Sequence, residues 1–182
     1  MKNSNLPIWR QKLKSSQIKE GKSISNRWIQ MANVSNNNQP RVRTVVFRGW
    51  LDNTSMLIYT DTRSEKFKDL EFNNNVEILW LFLKSKSQYR FKGKAFKINN
   101  TSNYWNCLSE TSKGTWFWPN PGEEINEKNL TLSPPDKFLK PNNFSVFQLK
   151  MQSVELLSLD KPIHKRFIWE EKYNWGCKEI NP

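Results

Sequence analysis

Segments rich in β-branched and aromatic residues recur along most of the chain, without a helix between each pair of them. Segment 76–83 is apolar enough for a central strand, and segment 88–98 alternates as a strand with one exposed face does. This order argues against a parallel sheet and predicts a mainly β, antiparallel barrel with peripheral helices. The predicted strands are 28–34, 44–47, 56–60, 76–83, 88–98, 144–149, 153–159, 166–170 and 177–180.

Helical patterns lie between some of these strands. Residues 1–22 predict an amphipathic N-terminal helix that ends at Gly21 and covers one mouth of the barrel. Thr62 with Glu65 three residues later forms a capping box, which predicts a second helix start. A third helix is predicted to begin at residue 100 or 101.

Residues 114–142 predict a long irregular segment. They contain Trp116, Trp118 and several prolines, with at most a turn of helix around residues 123–129. A loop of this length in a compact domain is usually functional or packed on a partner.

The stretch 43–66 predicts a hairpin of strands 44–47 and 56–60, followed by a helix start. A helix N-terminus presents free N–H groups and the positive end of the helix dipole, and here it lies near Arg43, Ser64 and Lys66. This combination suits a phosphate group. From spacing alone, the same cations are equally compatible with solvated surface charge.

The charge balance favours an anionic partner. The chain of 182 residues has 29 Lys and Arg against 17 Asp and Glu, a net charge of +12. The partner class could be a nucleic acid, a membrane surface or a phosphorylated small molecule. A general preference for Lys and Asn, as in runs 36–38 and 73–75, explains the same balance without a partner.

Cysteine usage and hydropathy predict a soluble cytoplasmic protein. Cys107 and Cys177 are far apart and form no disulfide framework or zinc motif, so free thiols in a reducing compartment are expected. No apolar leader and no run of transmembrane length occurs. The length predicts a single domain over residues 1–182.

Side chains with catalytic potential are sparse. His164 is the one histidine, and no nucleophile motif, glycine-rich phosphate loop or metal-ligand set is present. A chain with so few such groups is expected to use a cofactor that carries its own reactivity.

Several motifs, in order along nearly the whole chain, resemble those of the pyridoxamine 5′-phosphate oxidase-like flavoproteins, in particular their small stand-alone, cyanobacterial-type branch. Trp9-Arg10, the 116–122 loop and Trp175 are also similar in place to this branch. The matching motifs are Arg43–Arg48, Tyr59-Thr60, Ser64-x-Lys66, Gln88 with Gly93-Lys94-Ala95, and His164-x-Arg166.

The resemblance implies a split β-barrel that forms a homodimer, binds FMN in a cleft between the subunits and oxidises a small-molecule substrate. Arg43, Ser64 and Lys66 would hold the FMN phosphate, and Gln88 and Arg166 would reach the isoalloxazine ring. The full set implied for the cofactor is Arg43, Thr44, Val45, Val46, Arg48, Tyr59, Thr60, Ser64, Lys66, Gln88 and Arg166.

The same resemblance assigns Arg48, Tyr104 and His164 to the substrate, with His164 and Arg166 as the catalytic pair. Arg43 and Arg48 differ by five positions, so on a regular strand their side chains face opposite sides. A bulge or the strand end must redirect one of them.

Departures from the family pattern leave the substrate open. Pro162 and Leu108 stand where the oxidases have arginines that hold the substrate's phosphate, although Lys161 is close enough in sequence to replace the first. Losing a planar, bidentate arginine is not a conservative change. Glu65 also replaces a basic residue of the phosphate motif.

Two further functions are compatible with these residues. The missing arginines favour a flavin-binding or sensing protein without turnover of pyridoxamine phosphate. The net charge of +12 and the aromatic and basic residues of segment 88–92 are compatible with a barrel that binds single-stranded nucleic acid. Composition is the only support for this last function.

Overall fold

The computed structural model describes residues 6–125 and 138–182, and its largest feature is an eight-stranded sheet. Short 3₁₀ turns lie at Ile24–Asn26, Thr115–Phe117 and Glu171–Tyr173. The helices are α1 (Ile8–Glu20), α2 (Glu65–Phe72), α3 (Ser102–Asn106) and α4 (Glu110–Gly114). The strands are β1 (Trp28–Val34), β2 (Pro40–Val46), β3 (Ser55–Asp61), β4 (Asn75–Phe82), β5 (Ser87–Ile98), β6 (Phe144–Ser158), β7 (Lys165–Glu170) and β8 (Cys177–Ile180).

Every strand pairing is antiparallel, and the strand order is β2-β1-β4-β5-β6-β7-β8, with β3 also paired to β6. The long strand β6 pairs with β5 along most of its length. Its other edge is divided, because residues 144–150 pair with β3 and residues 153–158 pair with β7. The predicted antiparallel split barrel is confirmed.

The predicted hairpin between residues 44–47 and 56–60 is wrong as a strand pair. β2 pairs with β1 over its whole length, and β3 pairs with β6. The two are joined by a short hairpin beyond the end of β2. Its backbone hydrogen bonds run from Arg48 N–H to the Leu57 carbonyl, from Leu57 N–H to the Gly49 carbonyl and from Leu51 N–H to the Ser55 carbonyl (2.9 Å each), and Trp50 and Met56 form an isolated bridge. Gly49 lies between β2 and β3 with φ of +123°, a region that favours glycine, and it redirects the chain after β2.

Local predictions elsewhere were partly right. β1 and β8 have the predicted bounds, whereas the two strands predicted at 144–149 and 153–159 form the single strand β6. The helix predicted after β5 is divided into α3 and α4. The turn of helix predicted around 123–129 lies mostly outside the described residues.

The core has two parts, on opposite sides of β3. In the main part Trp9 of α1 is fully buried, and its ring centroid lies 5.9 Å from that of Phe91 and 5.8 Å from that of Trp50. The second part contains Leu57, Trp105, Phe144 and Val146. β3 is therefore buried on both faces, and side chains that alternate along it point into two different environments.

Replacing Gly93 by alanine is expected to lower the free energy of unfolding by about 1–3 kcal/mol, because it overpacks a sheet contact. A Cβ at this position would lie 2.1 Å from the Lys150 carbonyl oxygen, where the β5–β6 register shifts. Urea unfolding measures the change, and Gly114→Ala is the control because a Cβ there meets nothing within 4 Å. An unchanged midpoint for Gly93→Ala would contradict the expectation.

Candidate functional site

The first group of predicted site residues meets at the start of α2. Ser64 is the N-cap of this helix, since its hydroxyl accepts a hydrogen bond from Phe67 N–H (3.4 Å) and donates one to the Asp61 carbonyl (2.7 Å). The buried Thr60 hydroxyl lies 3.3 Å from that of Ser64. The predicted cap at Thr62 is therefore wrong by two residues.

Two cations stand beside this helix start. Arg43 forms an ion pair with the buried carboxylate of Asp69 (3.4 Å), which also accepts a hydrogen bond from the Asn33 amide (3.1 Å). Lys66 makes neither a hydrogen bond nor a close ion pair with any residue that the structure describes. Burial and the nearby charge of Arg43 together lower the pKa of Lys66 to about 8, although the charge of Asp61 acts in the opposite direction.

This arrangement fits a phosphate group. Taking an ammonium out of water is unfavourable unless an opposite charge compensates it. Among the described residues Asp61 is the opposite charge that acts on Lys66, but it forms no close ion pair with Lys66 and is itself paired with Arg63. The N–H groups at the start of α2, the helix dipole and the two cations favour a dianion at this place. The FMN phosphate implied by the sequence motifs carries the negative charge that would compensate these cations.

Arg48 lies on the far side of β3 from this group. β2 ends at Val46, so Arg48 is beyond the regular strand, and the expectation that Arg43 and Arg48 are turned towards one ligand stays a prediction. Its guanidinium carbon lies 5.1 Å from the ring centroid of Tyr59, which lies 6.1 Å from that of Tyr104. Two of the residues predicted to bind substrate, Arg48 and Tyr104, are thus close together around Tyr59.

A cavity of about 420 Å³ opens beside these residues. Arg48, Tyr59, Leu108 and Arg27 are among the residues that line it. Burial lowers the pKa of Arg48, and the charge of Arg27 acts in the same direction.

Gln88 and Arg166 lie together on the outer face of the sheet. They line a pocket of about 200 Å³ with Arg90 and Glu155. Arg166 donates to the Glu155 carboxylate through Nε (3.0 Å), and Arg90 donates to the same carboxylate at 2.6 Å. Burial alone would raise the pKa of Glu155, but these hydrogen bonds hold it below its ordinary value. Glu155 thereby fixes the direction of the Arg166 side chain.

Within one chain, the outer group does not meet the group at α2. Arg43 is opposite the fully buried Met31, so its side chain is on the core side of the sheet. Gln88 precedes the buried Tyr89 in β5 and points to the other side. Within one chain, the two groups therefore lie on opposite faces of the sheet.

His164 is exposed in the segment before β7 and makes no hydrogen bond with another described residue. Among the other predicted cofactor residues, Val45 is buried in the main core, while Thr44 and Val46 alternate with it along β2. These positions leave the predicted roles of His164, Thr44 and Val46 as predictions.

Some residues that shape the site were missed from the sequence. Asp69 follows Lys66 by three positions, so helical spacing could have indicated that both face one site. Glu155 and Arg27 carry no local signal, because their places depend on strand pairing across the sheet.

Polar side chains at the end of β3 hold the 116–120 segment near the start of α2. Asp61, which follows Thr60, forms an ion pair with Arg63 (2.7 Å) and accepts a hydrogen bond from Asn143 (2.8 Å). Arg63 and Asn143 also donate to the carbonyls of Trp118 (3.1 Å) and Trp116 (2.9 Å). Part of the predicted irregular loop is therefore fixed against the end of β3.

Two absences concern only the described residues. Histidine, cysteine and acidic side chains within 6–125 and 138–182 form no group of three that could hold a metal ion. In the same part of the chain, no helix combines the length and the apolar character that crossing a membrane requires.

The antiparallel split barrel defines the fold class, and comparison with known proteins identifies the family. Residues 6–99 match the family described as pyridoxamine 5′-phosphate oxidase, FMN-binding domain. The chain belongs to this family.

Several relatives are similar over most of their length. A pyridoxine/pyridoxamine 5′-phosphate oxidase 2 of Arabidopsis thaliana is 28% identical over 177 residues, covering 85% of this chain and 87% of the relative. A pyridoxine/pyridoxamine 5′-phosphate oxidase of Leptospira biflexa is 30% identical over 180 residues, covering 92% and 84%.

A solved structure shows the same fold at full length. It is a pyridoxamine 5′-phosphate oxidase-related, FMN-binding protein of Nostoc punctiforme, 29% identical, with a TM-score of 0.86. The match covers 98% of this chain and 99% of that protein.

Proposed function

We propose that this protein binds FMN between two copies of the chain and uses it to oxidise a small phosphorylated substrate. The observation that carries the proposal is Lys66, a largely desolvated ammonium without a partner, beside Arg43 and the start of α2. Charge-assisted hydrogen bonds to a phosphate would compensate it.

The need for a second copy follows from the two faces of the sheet. Gln88 and Arg166, which the family motifs assign to the isoalloxazine ring, are on the outer face, while Arg43 is on the core side. The outer face of β1, β2 and β4 also exposes apolar side chains, among them Trp28 (48%), Val42 (71%) and Leu81 (37%). Contiguous exposed apolar surface is typical of an interface.

A groove of about 400 Å³ runs along this face. Gln30, Val42, Leu79 and Arg90 are among the residues that line it. A symmetric dimer would bury the apolar side chains and bring the outer group of one chain to the α2 group of its partner. Both kinds of contact to FMN would then come from one interface.

The protein's part in the reaction is binding and orientation. When bound, FMN supplies the acceptor for a hydride from the substrate, and oxygen or another acceptor then takes the electrons. Arg166, held by Glu155, would place a fixed positive charge beside the ring system. Arg48 and Tyr104 would hold the substrate beside Tyr59.

Titration with FMN tests the cofactor and the assembly. The protein is expected to quench FMN fluorescence at micromolar concentration with one FMN per chain, and to sediment as a dimer. Absence of quenching at these concentrations would overturn FMN binding. A flavin-loaded monomer would overturn the two-copy site.

A flavin-binding protein without turnover is a second candidate. It is favoured by Leu108, which lines the cavity beside Arg48 where the family oxidases carry an arginine, and by the exposed position of His164. Hydrogen peroxide release from pyridoxamine or pyridoxine 5′-phosphate, at an enzyme-like rate, separates the candidates. Such release would exclude the non-catalytic function.

A further inference from the structure

The cavity beside Arg48 contains more positive charge than the sequence motifs assign to it. Both Arg27 and Arg48 line it, and none of the described residues that line it is acidic. Its volume of about 420 Å³ lies in the range of small-molecule sites. Arg27 belongs to none of the motifs that carry the family resemblance.

The backbone holds the two arginines next to each other. Phe47 N–H donates to the Arg27 carbonyl (2.7 Å), so residue 27 is fixed against the end of β2. Arg48 N–H donates to the Leu57 carbonyl (2.9 Å), which ties the neighbouring residue to β3. Both bonds are backbone contacts, so they place the arginines whether or not a ligand is present.

Neither guanidinium has an acidic partner in the described chain. The Arg48 side chain is half-buried, and its electrostatic neighbours are Arg27 and Tyr59. Arg27 is exposed and forms no ion pair with a described carboxylate. Two like charges at one cavity repel each other, and an anion between them removes this cost.

We infer that Arg27 is a specificity-determining residue, which together with Arg48 binds a phosphate monoester group on the substrate. The inference rests on the proposed function, because it assigns the substrate's anionic group to the same site. Two guanidinium charges match a phosphate dianion, and the planar fork of arginine suits its oxygens. Leu108 gives an apolar wall where the family oxidases carry an arginine. The second positive charge is thus supplied by the residue before β1 and not by the turn between α3 and α4.

The test compares pyridoxine 5′-phosphate with pyridoxine, using calorimetry on the FMN-loaded protein. The wild type is expected to bind the phosphorylated probe on the order of 10-fold or more tightly than pyridoxine. Arg27→Ala should remove about 10-fold of the affinity for the phosphorylated probe and leave that for pyridoxine unchanged. Arg27→Lys should restore part of the loss because it keeps the charge.

Lys22→Ala is the matched control, since it removes one exposed positive charge from the nearby turn and does not line the cavity. Arg27 is exposed, so its variants are expected to fold, and FMN affinity and dimer mass should equal those of the wild type. Equal binding of pyridoxine 5′-phosphate by Arg27→Ala and Lys22→Ala would overturn the inference. So would a wild type that does not distinguish the two probes.

Titrating the same two probes into flavin-free protein measures the role of Arg27 without FMN, and this keeps the inference separate from the proposed function. If FMN does not bind, the proposed function fails, whatever the probes do. If FMN binds and Arg27→Ala retains its preference for the phosphorylated probe, only the role of Arg27 fails.

Discussion

Replacing Lys66 by methionine is expected to weaken FMN binding by about 10- to 100-fold, the effect of losing a hydrogen bond to a charged group in a desolvated place. Methionine keeps most of the buried aliphatic stem and removes only the charge. Lys66 has no partner to leave unpaired, so the fold is expected to survive the change. Fluorescence quenching of FMN measures the dissociation constant.

Lys68→Met is the matched control because Lys68 is exposed on the same helix. If the two variants bound FMN equally well, Lys66 would contribute no more to FMN binding than the exposed Lys68 of the same helix. The specific role of Lys66 would then be wrong.

The pKa of Lys66 adds a pH dependence to this prediction. Lys66 in the free protein loses its proton as pH rises through about 8, whereas the FMN phosphate is a dianion throughout this range. A bound dianion raises the pKa of the ammonium, so the protonated form binds more tightly. FMN affinity should be constant from about pH 7 to this pH, where the phosphate is fully dianionic, and fall by at most about 10-fold per pH unit above it.

Lys66→Arg should bind FMN with a flat profile over the same range, since arginine keeps its charge. A wild-type profile as flat as that of Lys66→Arg would contradict the assignment. The comparison separates titration of Lys66 from titration of any other group, because those groups are common to both proteins.

Strand positions were well predicted because they depend on local patterning, whereas strand partners were not. β1 and β8 have the predicted bounds. The partner of β2 was wrong, because residues 44–47 and 56–60 are close in sequence but each finds a longer partner elsewhere in the sheet. Pairing depends on contacts across the fold that a local turn signal does not contain.

The two strands predicted around residues 150–152 show the same limit. Lys150 and Gln152 are exposed and interrupt the apolar pattern, which indicated a break. In the structure this place faces Gly93, where the register of β5 and β6 shifts and the ladder continues. The shift accommodates the interruption within one strand.

The parts of the site that depend on local chemistry were only partly predictable. Arg43 lies on the regular strand β2 and Arg48 lies beyond its end, so strand parity alone does not determine the direction of Arg48. The cap was misassigned because both Thr62 and Ser64 are preferred N-cap residues and the capping-box spacing to Glu65 favoured Thr62, whereas hydrogen bonding to Phe67 selects Ser64. Arg27 needed the contact of its backbone with Phe47, which no motif contains.

Co-expression of two defective chains is expected to restore FMN binding if each site takes residues from both copies. One chain carries Lys66→Met and the other Arg166→Ala. Each homodimer lacks one contact in both of its sites. A mixed symmetric dimer has one site with both native side chains and one with neither. Random association should therefore give about one quarter native sites.

Arg166→Ala suits this experiment because Arg90 continues to pair with the buried Glu155 at 2.6 Å, so no carboxylate is left alone. Two affinity tags isolate the mixed dimers, in which half of the sites should bind FMN with native affinity. If Lys66 and Arg166 of the same chain served one site, every chain in the mixture would carry a defect. Mixing would then restore no FMN binding, and the proposed site between two copies of the chain would be wrong.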